Sequence, residues 1–483
     1  MITLLISLAV LIGGYFVYGL IADRVFGTDP SRPTPAMTDA DGVDFVPMPT
    51  WKVFLIQFLN IAGLGPIFGA IMGVMYGPAA FLWIVLGTIF GGAVHDFISG
   101  MMSLRSKGLS QPDLIGRELG AGARMFLRAL STVLLILVGA VFIASPAELL
   151  DKMTPEWGTA TLFCVIIFAY YLLATLLPVD KLIGRFYPIF GCALLFMALG
   201  LLGAMIFGGL DVPEAFDGGL ANRHSGAETH SIFPMLFVSI ACGAVSGFHA
   251  TQSPMMARCL KNERLARPVF YGAMVAEGIV ALIWAAAAIT FTGGYEGVNA
   301  YMADGGSPST LVNDISVSWL GAVGGILAVL GVVAAPITTG DTALRSARLI
   351  VADIFKIDQK PIAKRLMITI PIFLCAFGLL LIDFNVLWRY FAWVNQTLAA
   401  FTLWGCAVYL SRHGRQYVIC MIPAMFMTAV VVCYLFYAPR PEGFGLGIRT
   451  AGIAAAAATA LCTALFARYL VRLRSSHIPD MAE

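Results

Sequence analysis

Apolar runs long enough to cross a lipid bilayer recur along almost the whole chain, and no other feature restricts its fold so strongly. A hydrocarbon core roughly 30 Å thick needs about 20 apolar residues per helix. Such runs predict thirteen spans: 2–24, 51–75, 78–103, 124–147, 158–178, 181–207, 231–256, 266–292, 318–343, 364–383, 387–411, 416–437 and 447–471. With 59% hydrophobic and only 12% charged residues, too few polar side chains exist to cover a water-facing surface, so lipid is the expected solvent. The 30 Lys and Arg nearly balance the 28 Asp and Glu, so net charge gives no sign of an acidic partner, and no nucleic-acid partner is expected.

The positions of the basic residues orient the spans. Twenty-five of the 30 fall in one alternating set of loops and span ends, and only Lys152, Arg223, Arg389, Arg440 and Arg449 fall in the other. Basic residues accumulate on the cytoplasmic side, so the expected topology is multi-pass in a bacterial inner membrane, N-terminus outside and C-terminus cytoplasmic. Residues 1–24 lack a basic leader and a cleavage site and read as a retained helix. The nine cysteines show no metal-ligand spacing and read as reduced core fillers.

Two spans carry helix breakers where a membrane helix can least tolerate them. The second reads Leu59-Asn60-Ile61-Ala62-Gly63-Leu64-Gly65-Pro66, and the seventh reads Gly243-Ala244-Val245-Ser246-Gly247-Phe248-His249-Ala250-Thr251-Gln252-Ser253-Pro254. Gly costs about 1 and Pro about 3 kcal/mol in a helix interior, and freed backbone groups cannot face lipid. Both read as interrupted helices, the strongest sequence pointer to a transporter's central site. By the charge pattern they run in opposite directions, five spans apart. The chain therefore reads as one all-α polytopic membrane domain, 1–483: an N-terminal helix and cytoplasmic loop (1–50), repeat one (51–207), an inverted repeat two (231–411) and two further helices (412–483). Gly69 with Gly73, and Gly321 with Gly325, read as small-residue packing faces.

The segments Asn60-Ile-Ala-Gly-Leu-Gly-Pro66, Tyr76-Gly-Pro78 with Leu82-Trp83, Gly91-Gly-Ala-Val-His-Asp-Phe97 through Arg105, and Thr338-Thr339-Gly340-Asp341-Thr342 resemble the carbon starvation protein A (CstA) family. The resemblance covers most of residues 50–410. It implies uptake of short peptides, or of pyruvate in some members, during carbon limitation. It further implies membership of the amino acid/polyamine/organocation superfamily and a leucine-transporter-type five-plus-five inverted repeat.

Half-helix N-termini offer unpaired N–H groups to anions. The substrate-binding candidates are therefore Asn60, Gly63, Gly65, Gly247, His249 and Gln252, with Asn395 from the eleventh span; there Trp388, Tyr390, Phe391 and Trp393 with Asn395 and Gln396 read as an aromatic lid or as an interfacial belt. The first break also resembles the first core helix of sodium-coupled transporters. That resemblance implies a bound sodium ion held by the carbonyls of Leu59 and Ala62 and the hydroxyls of Thr338 and Thr339, unless these threonines bond back to their own helix. Glu277 and Asp96, ionisable inside apolar spans, are the proton-coupling candidates. The blander reading pairs Asp96 with Arg105 or Arg345, and Asp341 with Arg345. His224, Glu228 and His230 form a candidate surface metal site.

No GxxxxGK[ST] loop, HExxH pair or Ser/His/Asp arrangement is present, so no enzyme is expected and no cofactor beyond sodium. The expected function is secondary active import of peptides or small carboxylates, driven by protons or sodium. The alternative is a nutrient-sensing receptor on the same fold without net transport, with a channel in third place.

Overall fold

Backbone groups buried in lipid must find hydrogen bonds within the chain, and the computed structural model meets this demand with helices. It describes residues 1–41, 45–154, 158–174, 180–359 and 361–475, without the side chains of 180–186, and no strand occurs among them. The main helices are α1 (Ile2–Phe26), α2 (Thr50–Ala62), α3 (Gly65–Val74), α4 (Ala79–Arg105), α5 (Gln111–Leu119), α6 (Ala121–Met153), α7 (Ala160–Ala174), α8 (Asp180–Phe207), α9 (Phe248–Ala257), α10 (Glu263–Thr292), α11 (Pro308–Phe355), α12 (Ile362–Leu379), α13 (Phe384–Arg412), α14 (Val418–Tyr437) and α15 (Ile448–Ser475). Side chains at Ile453, Leu461, Leu465 and Val471 leave α15 58–71% exposed there, an apolar face suited to lipid. The protein is an all-α, multi-pass membrane protein.

Among the described residues nine helices are long and apolar enough to cross a membrane, ten if the bent pair α2–α3 is one span, against thirteen expected. Three segments make the difference. Helix α7 is described over 15 residues, and 175–178 of its expected span lie outside the described residues. The seventh span is unwound across 240–247 between a short helical piece and α9. Polar residues such as Arg389, Asn395 and Gln396 dilute the hydropathy of α13.

Local sequence explains the helix ends that matter. Ser307 and Thr310 cap one another at the start of α11, and the Asp383 carboxylate accepts the Asn385 and Val386 N–H groups at the start of α13. Residues 87–92 of α4 widen into a π-turn, as do 267–271 within α10 and 329–334 within α11. Such turns re-aim side chains inside a helix.

The expected packing glycines divide. Gly69 and Gly73 lie against Ser239 and Ile240, so α3 packs on the start of the second break. Gly321 and Gly325 need correcting, because an added Cβ at either would meet nothing within 4 Å. Their stretch of α11 faces outward, with Val323 63% and Ile326 61% exposed, and Gly321 kinks the helix at φ 57°.

Candidate transport site at two facing helix breaks

The first break is made by Gly63, whose backbone at φ 46° and ψ −130° is foreign to L-residues, followed by Pro66 in the first turn of α3. Together they bend α2 and α3 apart by 44°. The Phe142 ring lies 2.8 Å from where a Gly63 Cβ would stand, and a Cβ at Gly65 would collide with Cys242. The two breaks therefore touch through glycine.

At the second break, side chains from three other helices take up the backbone groups that unwinding frees. Trp83 Nε1–H donates to the Ile240 carbonyl at 3.1 Å, and Thr88, inside the π-turn of α4, donates to the Gly243 carbonyl at 2.9 Å. Glu277 Oε1 accepts the Gly243 N–H at 3.0 Å. Asn395 Oδ1 accepts the Phe248 N–H at 2.7 Å, and the Asn395 backbone carbonyl accepts the Gly247 N–H at 3.2 Å. Each is a buried backbone group that would otherwise be orphaned at a cost of about 1–3 kcal/mol. The Gly247 and Phe248 amides, expected to face an anion, are held by Asn395 here.

An ionisable chain runs beside this break. His249 Nδ1 lies 2.8 Å from Asp96 Oδ2, His249 Nε2 lies 3.3 Å from Glu277 Oε2, and Asp96 Oδ1 lies 2.7 Å from His95 Nδ1. All four side chains are fully buried. The structure thus corrects the expected partner of Asp96, which is a pair of histidines and no arginine. Arg105 instead makes two bonds of 2.9 and 2.8 Å to the buried Glu263, while Arg345 meets Asp341 at 3.5 Å. His95 and Asp96 meet although adjacent residues lie about 100° apart around a helix.

The remaining candidates scatter around this centre. Asn60 is fully buried beside the first break with neither end of its amide hydrogen-bonded. Gln57, which the sequence did not single out, donates to Ser253 at 3.3 Å and ties α2 to α9. Gln252 donates to Thr251, and its buried Oε1 has no partner. Thr338 and Thr339 both donate back to the Ala335 carbonyl, at 2.7 and 3.1 Å. The Leu59 carbonyl accepts the Gly63 N–H at a long 3.4 Å. Trp388 packs with Phe68 of α3 and with Phe391, whereas Tyr390 and Trp393 donate to the Pro441 and Val431 carbonyls.

In the 208–230 loop the His224 and His230 rings stack at 4.4 Å. Among the described residues, the group of His, Cys, Asp and Glu whose donor atoms converge is Cys242, His249 and Glu277, without this loop. Burial, then the neighbouring His230 and Arg389, push the His224 imidazole down to about 4. A folded pKa below the unfolded value of about 6.5 means its contribution is complete above about 6.5 and lost as pH falls towards 4. Protection factors of amides 222–230, taken against the intrinsic exchange rate at each pH, should therefore fall between about pH 6.5 and 4.5, and unchanged protection would refute the charge-driven loosening.

The family model for carbon starvation protein CstA matches residues 1–216, 158–322 and 305–433. The chain belongs to the carbon starvation protein CstA family. An uncharacterized membrane protein of Haemophilus influenzae is 46% identical over 329 residues, 58% of this chain and 89% of that protein. The peptide transporter CstA of Campylobacter jejuni is 29% identical over 382 residues, 63% of this chain and 52% of that protein. The pyruvate/proton symporter BtsT of Escherichia coli is 29% identical over 343 residues, 57% of this chain and 47% of that protein. Alignments with these two CstA relatives of assigned function thus span about half of their length. A Na+-coupled sialic acid symporter in a substrate-bound outward-open state shares the fold, with TM-score 0.53, 14% identity, and 95% of this chain and 96% of that one covered.

Proposed function

We propose that the chain is a secondary active transporter that imports short peptides, or pyruvate and related small carboxylates, by alternating access. The observation that carries this reading is the pair of facing breaks. One touches the other through Gly65 and Cys242, and the second is held open by Trp83, Thr88, Glu277 and Asn395 from neighbouring helices. Helices interrupted at mid-membrane and held by side chains rather than by their own ladder can exchange partners as one half rocks against the other. Assignments of relatives as a peptide transporter and a pyruvate/proton symporter support the cargo class.

Asn60, Gly63, Gly65, Gly247, His249, Gln252 and Asn395 line the proposed cargo path. Two coupling ions fit different residues. Protons would be carried by Glu277 and Asp96, and sodium would be held by the Leu59 and Ala62 carbonyls with Thr338 and Thr339 turned from Ala335. The N-terminus is proposed to lie outside and the C-terminus in the cytoplasm.

The test is uptake of labelled di- and tripeptides and of pyruvate into proteoliposomes under imposed proton or sodium gradients. Gradient-dependent accumulation of one cargo, reduced at least about tenfold by Asn60→Leu, is the expected result. Saturable binding without accumulation would replace transport by sensing, and uptake indifferent to both gradients would overturn coupling.

A further inference from the structure

Cys242 lies within the unwound stretch 240–247 and His249 in the first turn of α9. In a continuous helix, residues seven apart are separated by about 10 Å along the axis. Unwinding of 240–247 instead brings the Cys242 thiol, the His249 imidazole and the Glu277 carboxylate together, with their donor atoms all within 4.8 Å of one another. The His249 and Glu277 side chains have no exposed surface, and Cys242 is 4% exposed. His249 Nε2 and Glu277 Oε2 approach to 3.3 Å, yet neither makes a hydrogen bond.

The opposite side of each group is already engaged. His249 Nδ1 contacts Asp96 Oδ2 at 2.8 Å, Glu277 Oε1 accepts the Gly243 N–H at 3.0 Å, and Asn395 Nδ2 reaches the Cys242 sulfur at 3.6 Å. A carboxylate behind an imidazole and a hydrogen bond behind a carboxylate are the supports that orient metal ligands. We propose that Cys242, His249 and Glu277 bind a divalent transition-metal ion of the zinc class. A thiolate and an imidazole with one carboxylate suit a borderline-soft ion and discriminate against sodium, magnesium and calcium. Ligand atoms about 2.0–2.3 Å from zinc lie nearer to each other than the widest separation here. Binding would therefore draw the three groups closer together than the 4.8 Å within which they now lie. Because the donors come from the unwound stretch, from α9 and from α10, the ion pins the unwound conformation.

This inference goes beyond the transport reading, and its readouts involve no cargo. Purified protein stripped with chelator and dialysed against Zn2+ or Co2+ should retain about one equivalent, and the Co2+ form should show a sulfur-to-metal charge-transfer band. Cys242→Ser should remove the band, and His249→Gln should lower retained metal at least about tenfold. A His224→Ala/His230→Ala variant should retain both. Glu277→Gln, which keeps an acceptor for the Gly243 N–H, should elute as folded protein with weakened binding, which separates ligand loss from misfolding. Wild-type retention no higher than that of His249→Gln, a band that survives Cys242→Ser, or loss of metal in the His224/His230 variant would each overturn the site.

Discussion

Asn395→Leu should reduce uptake at least about tenfold while leaving a membrane-inserted, monodisperse protein. Leucine keeps asparagine's branching at Cγ and is larger, so α13 still fills the space against the second break. What disappears is the acceptor for the Phe248 N–H at 2.7 Å and for the Ser246 hydroxyl at 3.2 Å, together with the donor to Ser246 at 3.1 Å. An orphaned buried N–H costs about 1–3 kcal/mol, and every 1.4 kcal/mol is about tenfold in an equilibrium. The Gly247 N–H bond to the Asn395 backbone survives the change, so the break weakens without collapsing. Initial uptake rates at equal reconstituted protein are the measurement. Wild-type rates in the leucine variant would mean that the amide of Asn395 does not hold the working conformation.

Gly247→Ala should be strongly damaging at the second break. The added Cβ would run into the Asn395 carbonyl oxygen and the Ala399 amide nitrogen, both backbone atoms of α13 that cannot rotate away. Overpacking a close-packed interior costs about 1–3 kcal/mol where side chains can adjust, and here the helix itself must move. Thermal unfolding in detergent should shift down by several degrees and uptake should fall further than in Asn395→Leu. Gly325→Ala is the matched control, because nothing lies within 4 Å of its added methyl. Equal unfolding temperatures for the two alanine variants would show that α13 does not press on the break as the structure has it.

Much of the fold was legible because lipid imposes simple rules. Length and hydropathy place helices, and Gly63-Leu64-Gly65-Pro66 and Gly243 to Gly247 announce breaks, since no helix tolerates such clusters without compensation. The compensation itself was not legible. Trp83 and Thr88 look like ordinary residues of an apolar span, and only their position opposite Ile240 and Gly243 gives them a role. Gln57 and Ser253 are 196 positions apart and meet through tertiary packing alone.

Asp96 shows the same division most clearly. That a carboxylate inside an apolar span must have a partner follows from the cost of burying charge, and the sequence supplies Asp96 and Glu277 at such positions. Which partner it takes depends on how α4, α9 and α10 pack, and the answer is His249 between the two carboxylates, with the arginines engaged elsewhere. By itself the sequence determined a polytopic helical chain with two interruptions, because those properties are local and set by solvent. Only the tertiary structure decided what fills the interruptions, because an unwound backbone is satisfied by whichever side chains of other helices lie against it.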